Sequence, residues 1–257
     1  MRENLEKASD YSDGMIKNIR ERLSSNFADR TVSVVTVGSF ARREASNQSD
    51  LDFFVLVKDF DESRDGSIRD IVEKVLEENG VRNPSQGGAF NAVQRHEDLT
   101  SNLGGFDDDG ESLTRRLLFL LESEWLYNED LFFELFTALV DVYVKSKITD
   151  HQICRFLLND LVRYYRTICV DFEYKTSEGG KSWGDRNIKL LFSRKLMYFS
   201  GVLAVAETAQ HTYKEKRRVL IDMLRKTPIT RLESICGDHA NKALDSYDAF
   251  IESMGEE

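Results

Sequence analysis

The chain is 257 residues long, 41% apolar and 31% charged, with 45 acidic against 35 basic side chains and a formal charge of -10. That is enough apolar material for one large domain or two modest ones, while the acidic balance disfavours loose binding to duplex DNA, which relies on basic surface. No run approaches the roughly 18 apolar residues of a membrane span, and the charged N-terminus carries no signal-peptide pattern, so no membrane partner and a cytoplasmic location are expected.

Residues 1–30 place Leu5, Tyr11, Met15, Ile19 and Leu23 at helical spacing, predicting one surface helix with a break at Asp13-Gly14. Val32 to Val37 is a β-branched run bounded by Gly38, and Leu51 to Val57 is a second apolar run opened by Asp50 and Asp52. Phe60 to Gly66 reads as a polar loop. Ile68, Ile71, Val72, Val75 and Leu76 then stripe a helix closed by Asn79-Gly80. Phe90 to Arg95 reads as a third strand, ending at His96, Glu97 and Asp98; residues 99–111 read as a loop.

From Leu113 the character changes. Leu117, Leu118, Leu121, Trp125 and Leu126 predict a helical stripe, Leu131 to Val144 is strongly apolar, and Ile153 to Phe172 and Asn187 to Thr208 read as long helices. Val219 to Leu224, stopped before Pro228, and Ala243 to Phe250 supply two more. Cys154, Cys169 and Cys236 have no metal-like spacing, and Cys154 and Cys169, within apolar helical patterns, read as buried free thiols. The expected architecture is α+β: a small mixed β-sheet domain over residues 1–112, then an all-helical bundle over residues 113–257.

The chemistry concentrates in residues 32–57. Gly38 permits a tight turn and close approach of backbone to a ligand, and Ser39 adds a hydroxyl where a short helix is expected to begin. Asp50 and Asp52, two apart in an extended segment, point to one face. Carboxylates held that close repel unless a cation lies between them, and oxygen-only ligation suits Mg2+, with Mn2+ as an alternative. The interval of eleven residues from Ser39 to Asp50 returns the chain through a helix and turn to a neighbouring strand.

The pattern Gly38-Ser39 followed by Asp50-Leu51-Asp52 resembles the signature of the DNA polymerase beta-like nucleotidyltransferase superfamily. The run GSFARREASNQSDLD is similar to the protein uridylyltransferases and their bacterial relatives with a fused helical region. The resemblance implies a nucleoside triphosphate substrate and Mg2+, with Gly38 and Ser39 at the phosphates and Asp50 and Asp52 as metal ligands. It also implies a third carboxylate on a following strand: Asp98 is the favoured candidate for catalysis and metal binding, ahead of Glu97 and Asp107 to Asp109.

Arg42 or Arg43 is placed to reach a phosphate or to form a surface salt bridge. Arg186, Lys189 and Ser193 recur at helical spacing; the resemblance implies a helical domain closing over the nucleotide and makes these three its candidate phosphate contacts, against an ion-pair network as the plain reading. Trp183 and Tyr174 are candidates to stack on a base or to fill the core. The four histidines form no metal or triad pattern, and the glycine turn lacks the Gly-Lys-Ser/Thr ending of a P-loop. The expected function is transfer of a nucleoside monophosphate from a triphosphate to a hydroxyl of a protein, an RNA end or a small molecule. The alternative is a non-catalytic nucleotide-binding regulatory or antitoxin-like protein.

Overall fold

The structure, a computed structural model, describes the chain except residues 1, 60, 85–92, 102, 106–107, 145–149, 178–182 and 256–257. It divides into two compact units, residues 1–139 with 251–257, and residues 140–250.

The first unit is built on β1 (Val32–Val37), all six residues of which are buried. Five of the six are β-branched and pack well on a pleated surface covered on both faces. Around it run α1 (Glu3–Asn26), α2 (Gly38–Arg42), β2 (Phe53–Val57), α3 (Glu62–Glu78), β3 (Val93–Arg95), α4 (His96–Thr100), α5 (Gly110–Leu121), β4 (Ser123–Tyr127) and the start of α6 (Glu129–Tyr143). The strand order is β3-β2-β1-β4, with β1 antiparallel to β2 and β4, and β2 parallel to β3.

On one face, Val32, Val34, Leu51, Phe53, Val55 and Val57 pack with Ile16, Ile19 and Leu23 of α1 and Ile68, Val72 and Val75 of α3. Each buried aliphatic or aromatic side chain contributes about 1.5–3 kcal/mol. On the other, Phe54 meets Phe119 of α5 edge-on at 6.1 Å, and Phe119 meets Phe132 and Phe136 at 5.4 and 5.6 Å. Helix α3 closes at Gly80, whose φ of 68° lets the Val81 amide reach back to the Leu76 carbonyl at 3.0 Å.

The second unit holds α7 (Arg155–Ser177), α8 (Trp183–Lys189), a π-helical turn at Leu190–Arg194, α9 (Lys195–Glu207), α10 (Tyr213–Leu224), α11 (Pro228–Cys236) and most of α12 (Asn241–Gly255). Arg231, fully buried, donates to the carbonyls of Met223, Leu224 and Lys226 and to the Ser200 hydroxyl, tying α11 to the end of α10 and to α9. Buried Asp160 accepts from the Tyr143 hydroxyl at 2.7 Å and from Arg163 at 2.9 Å.

A mixed sheet followed by a helical bundle is the architecture anticipated from the sequence, and five local readings change. The contact division falls at 139/140 rather than near 112, because β4 pairs with β1 and carries α5 and β4 into the sheet unit. Trp125 and Leu126 belong to β4, not to a helical stripe, since Glu122 leaves helical geometry at φ -149°. Helix α1 runs unbroken through Asp13-Gly14, and α3 begins at Glu62, inside the expected loop. Pro228 starts a helix as well as stopping one: it opens α11 behind the Thr227 cap, where its missing N–H costs nothing. Residues 90–92 of the expected third strand lie outside the described residues.

Candidate active site

β1 ends where Gly38 takes φ 74°, a left-handed conformation that glycine adopts without strain. A Cβ at that position would lie 3.2 Å from Oδ2 of Asp52. The Val37 amide and the Thr36 hydroxyl both donate to the Asp52 backbone carbonyl, at 3.0 and 2.9 Å. The glycine turn and the Asp52 carboxylate are therefore laced side by side. Ser39 follows, half-buried, in the first turn of α2.

Asp50 and Asp52 stand in the extended lead-in to β2 rather than inside the strand. The backbones of Asp50 and Arg82 pair in an isolated parallel β-bridge, with the Leu51 amide donating to the Arg82 carbonyl at 3.0 Å. Leu51, Phe53 and Val55 point into the core with α1 and α3, so alternation turns Asp50 and Asp52 to the opposite face. Asp50 is exposed and Asp52 half-buried. Among the described residues no group of three or more His, Cys, Asp or Glu is placed to hold a metal. Two carboxylates on one face, beside a turn with no side chain, do fit Mg2+, which is commonly held by one or two carboxylates with phosphate oxygens and waters filling its octahedron.

Arg42 has other partners than a phosphate. Its side chain is 7% exposed, donating from Nε to Glu44 at 2.7 Å and from Nη1 to Glu122 at 2.5 Å, and those two carboxylates are 3% and 1% exposed. Such a trio is a buried charge cluster whose members must stay together, since a lone buried ion is costly. Arg43, in the left-handed region at φ 65°, closes α2 and pairs with Asp13 and Glu124 at 2.6 and 2.8 Å. Glu124 also holds Arg20, whose guanidinium lies 3.5 Å over the Trp125 ring.

Asp98 does not join the acid pair. β2 and β3 run parallel with Val57 opposite Arg95, so α4 begins beyond the end of the sheet away from Asp50 and Asp52. Asp52 and Val57 are five residues apart, about 17 Å along an extended strand. Asp98 is bound to Arg95 at 2.9 Å and lines a polar cavity of about 240 Å³ with Gln94, Asp108, Ser112 and Arg115. Asp108 is buried against Arg116 at 3.0 Å. Asp109 caps α5 by accepting from the Ser112 amide, which holds its carboxyl below the usual range. Asp107 lies outside the described residues, and Glu97 is exposed in the first turn of α4.

In the helical unit, Arg186, Lys189 and Ser193 do not act as one surface. Lys189 is exposed and Arg186 half-buried, whereas Ser193 is 6% exposed and shares a 3.1 Å hydrogen bond with the Tyr247 hydroxyl. The π-helical turn at Leu190–Arg194 accounts for this, because its wider winding rotates the residues after it away from α-helical spacing. Trp183 and Tyr174 are each 61% exposed, so neither is a core residue. Glu122 is the residue that sequence reasoning missed: it stands 80 positions from Arg42, and nothing in its neighbourhood marks it as a partner.

A family model described as a nucleotidyltransferase domain matches residues 16–164, from within α1 to within α7. A search of curated proteins found no match.

Proposed function

The chain belongs to the nucleotidyltransferase domain family, and on that premise we propose that it moves a nucleoside monophosphate from a nucleoside triphosphate to a hydroxyl-bearing acceptor. The acceptor oxygen attacks the α-phosphorus, a new P–O bond forms, the bond to the bridging oxygen breaks, and pyrophosphate leaves while the hydroxyl proton passes to solvent. Gly38 admits the phosphates close to the backbone, and the Ser39 hydroxyl donates to them. Asp50 and Asp52 would hold the divalent ion. When bound, that ion neutralises phosphate charge and makes the α-phosphorus easier to attack. The run GSFARREASNQSDLD favours the uridylyltransferase-like branch of the family.

The observation that carries this reading is the closeness of turn and acid: a Cβ on Gly38 would lie 3.2 Å from Oδ2 of Asp52. One observation favours binding without turnover, namely that Asp98 lies at the far end of the sheet from the pair. The same assay separates the two readings. Protein incubated with Mg2+ and triphosphate labelled at the α or the γ position should pass α-label, and no γ-label, to an acceptor fraction. Retention of triphosphate with no α-label transferred to any fraction would leave the binding-only reading standing.

A further inference from the structure

The acidic character of the chain is not shared by its two units. Residues 140–250 carry 19 Lys and Arg against 14 Asp and Glu, a formal +5. Taking these from the totals of 35 and 45 leaves 16 basic and 31 acidic side chains for the sheet unit, a formal -15. Among the described residues, the exposed large apolar side chains also all belong to the helical unit. Val162, Val170, Tyr174, Trp183, Leu191 and Phe199, 40 to 69% exposed, all fall within α7, α8, the π-helical turn and α9.

Their spacing is regular. On α7, Val162, Arg166, Val170 and Tyr174 recur every fourth residue and are all exposed. Leu191, Lys195 and Phe199 repeat the same apolar, basic, apolar order and are exposed too. The two stretches are joined by the Tyr165–Tyr198 stack, with ring centroids 4.5 Å apart and planes 17° from parallel. Lys195 and Phe199 line an open groove of about 650 Å³ together with Tyr165, Phe192, Tyr198 and Tyr247.

We propose that this face of the helical unit binds a single-stranded nucleic acid, with Trp183, Tyr174 and Phe199 as stacking platforms and Arg166, Lys189 and Lys195 along the phosphate path. Exposed aromatic rings set among cations are what sequence-tolerant strand binding requires, because every base has a π face and every linkage a negative charge. Duplex binding is not favoured, since stacking needs bases free of a partner.

Binding is measured without nucleotide or divalent ion, so that its outcome is independent of catalysis. Fluorescence anisotropy of labelled RNA and DNA single strands of about 12 nucleotides should show saturable binding at low salt that weakens steeply as salt is raised. In the Trp125→Phe protein the remaining indole is Trp183, and its emission should be quenched by the strand and left unchanged by free nucleotide. Tyr174→Ala with Trp183→Ala should weaken binding about 10-fold or more, and Arg166→Glu with Lys195→Glu should do likewise, with circular dichroism confirming a helical fold. Asp50→Asn with Asp52→Asn should bind as the parent does, so that loss of transfer and loss of strand binding are separable. The proposal is overturned by absence of strand binding at low salt, by equal affinity for duplex and single strand, by affinity indifferent to these substitutions, or by the face proving to be covered by a second copy or bound to vesicles of anionic lipid in place of a strand.

Discussion

The sheet unit and the helical unit solve the problem of apolar surface in opposite ways. In the sheet unit every described large apolar side chain avoids high exposure, and its two layers of helix close over a sheet whose central strand is wholly buried. Its formal charge of -15 is offset locally by guanidinium groups set between carboxylates, as at Arg42 and Arg43. The helical unit, at +5, leaves valine, leucine and aromatic rings in solvent beside its cations. The lesson is that a net charge of -10 describes neither unit. The prior it sets against polyanion binding applies to the sheet unit alone.

Substitutions that touch one unit should therefore leave the duty of the other intact. The largest effect is expected from Asp50→Asn with Asp52→Asn, which should lower α-label transfer by about 1,000-fold or more, on the order of removing the main electrostatic stabilisation at a reacting phosphate. Thermal unfolding should stay close to the parent, as Asp50 is exposed and Asp52 half-buried. A parallel collapse of stability would mean that the pair is structural.

Next comes the Arg42 cluster. Arg42→Ala leaves Glu44 and Glu122 facing each other in the interior, and denaturant unfolding should report a loss of about 3–5 kcal/mol. Glu122→Gln, which keeps a hydrogen-bond acceptor for Arg42, should cost much less. If the two cost the same, the cluster is held by something other than charge.

Gly38→Ala sharpens the comparison from the opposite side. The left-handed backbone should cost about 1–3 kcal/mol, and the new methyl group would press on the Asp52 carboxylate at 3.2 Å. Transfer should fall by more than the stability loss explains, while strand binding by the helical unit is unchanged. Equal activity in parent and variant would place the triphosphate elsewhere.

The smallest effect concerns His96. Burial pushes its pKa below the ordinary 6.5, with its Nε2 3.3 Å from the Leu135 carbonyl. The unfolded chain thus takes up the proton first, and stability contributed at neutral pH is lost as pH falls below about 6.5. Unfolding followed between pH 7.5 and 5 should decline less steeply for His96→Gln than for the parent; coincident slopes would remove His96 from the account.

Much of the sheet unit was legible because its signals are local. The β-branched run from Val32 to Val37 matches β1 residue for residue, and Asn79-Gly80 closes α3 where the C-cap chemistry requires. Where Asp98 falls depends on β3 running parallel to β2, a tertiary choice that a short apolar run does not encode. β4 was hidden by its half-exposed residues directly after an apolar helix, and Glu122 by its distance in sequence from Arg42. In the helical unit, periodicity located α7 and α9. The π-helical turn, a single widened turn, separated Lys189 from Ser193 and has no residue pattern to announce it.

The central claim is that Gly38 and the acid pair open on one metal and phosphate site, and Mn2+ titration read by electron paramagnetic resonance tests it most directly. In the presence of a triphosphate whose α–β bridge resists cleavage, the parent protein should bind Mn2+ in a nucleotide-dependent way, and both Asp50→Asn with Asp52→Asn and Gly38→Ala should weaken it. Undiminished Mn2+ and nucleotide binding in the double Asp variant would contradict the account, because the ion and its triphosphate would then be held without the carboxylates assigned to them.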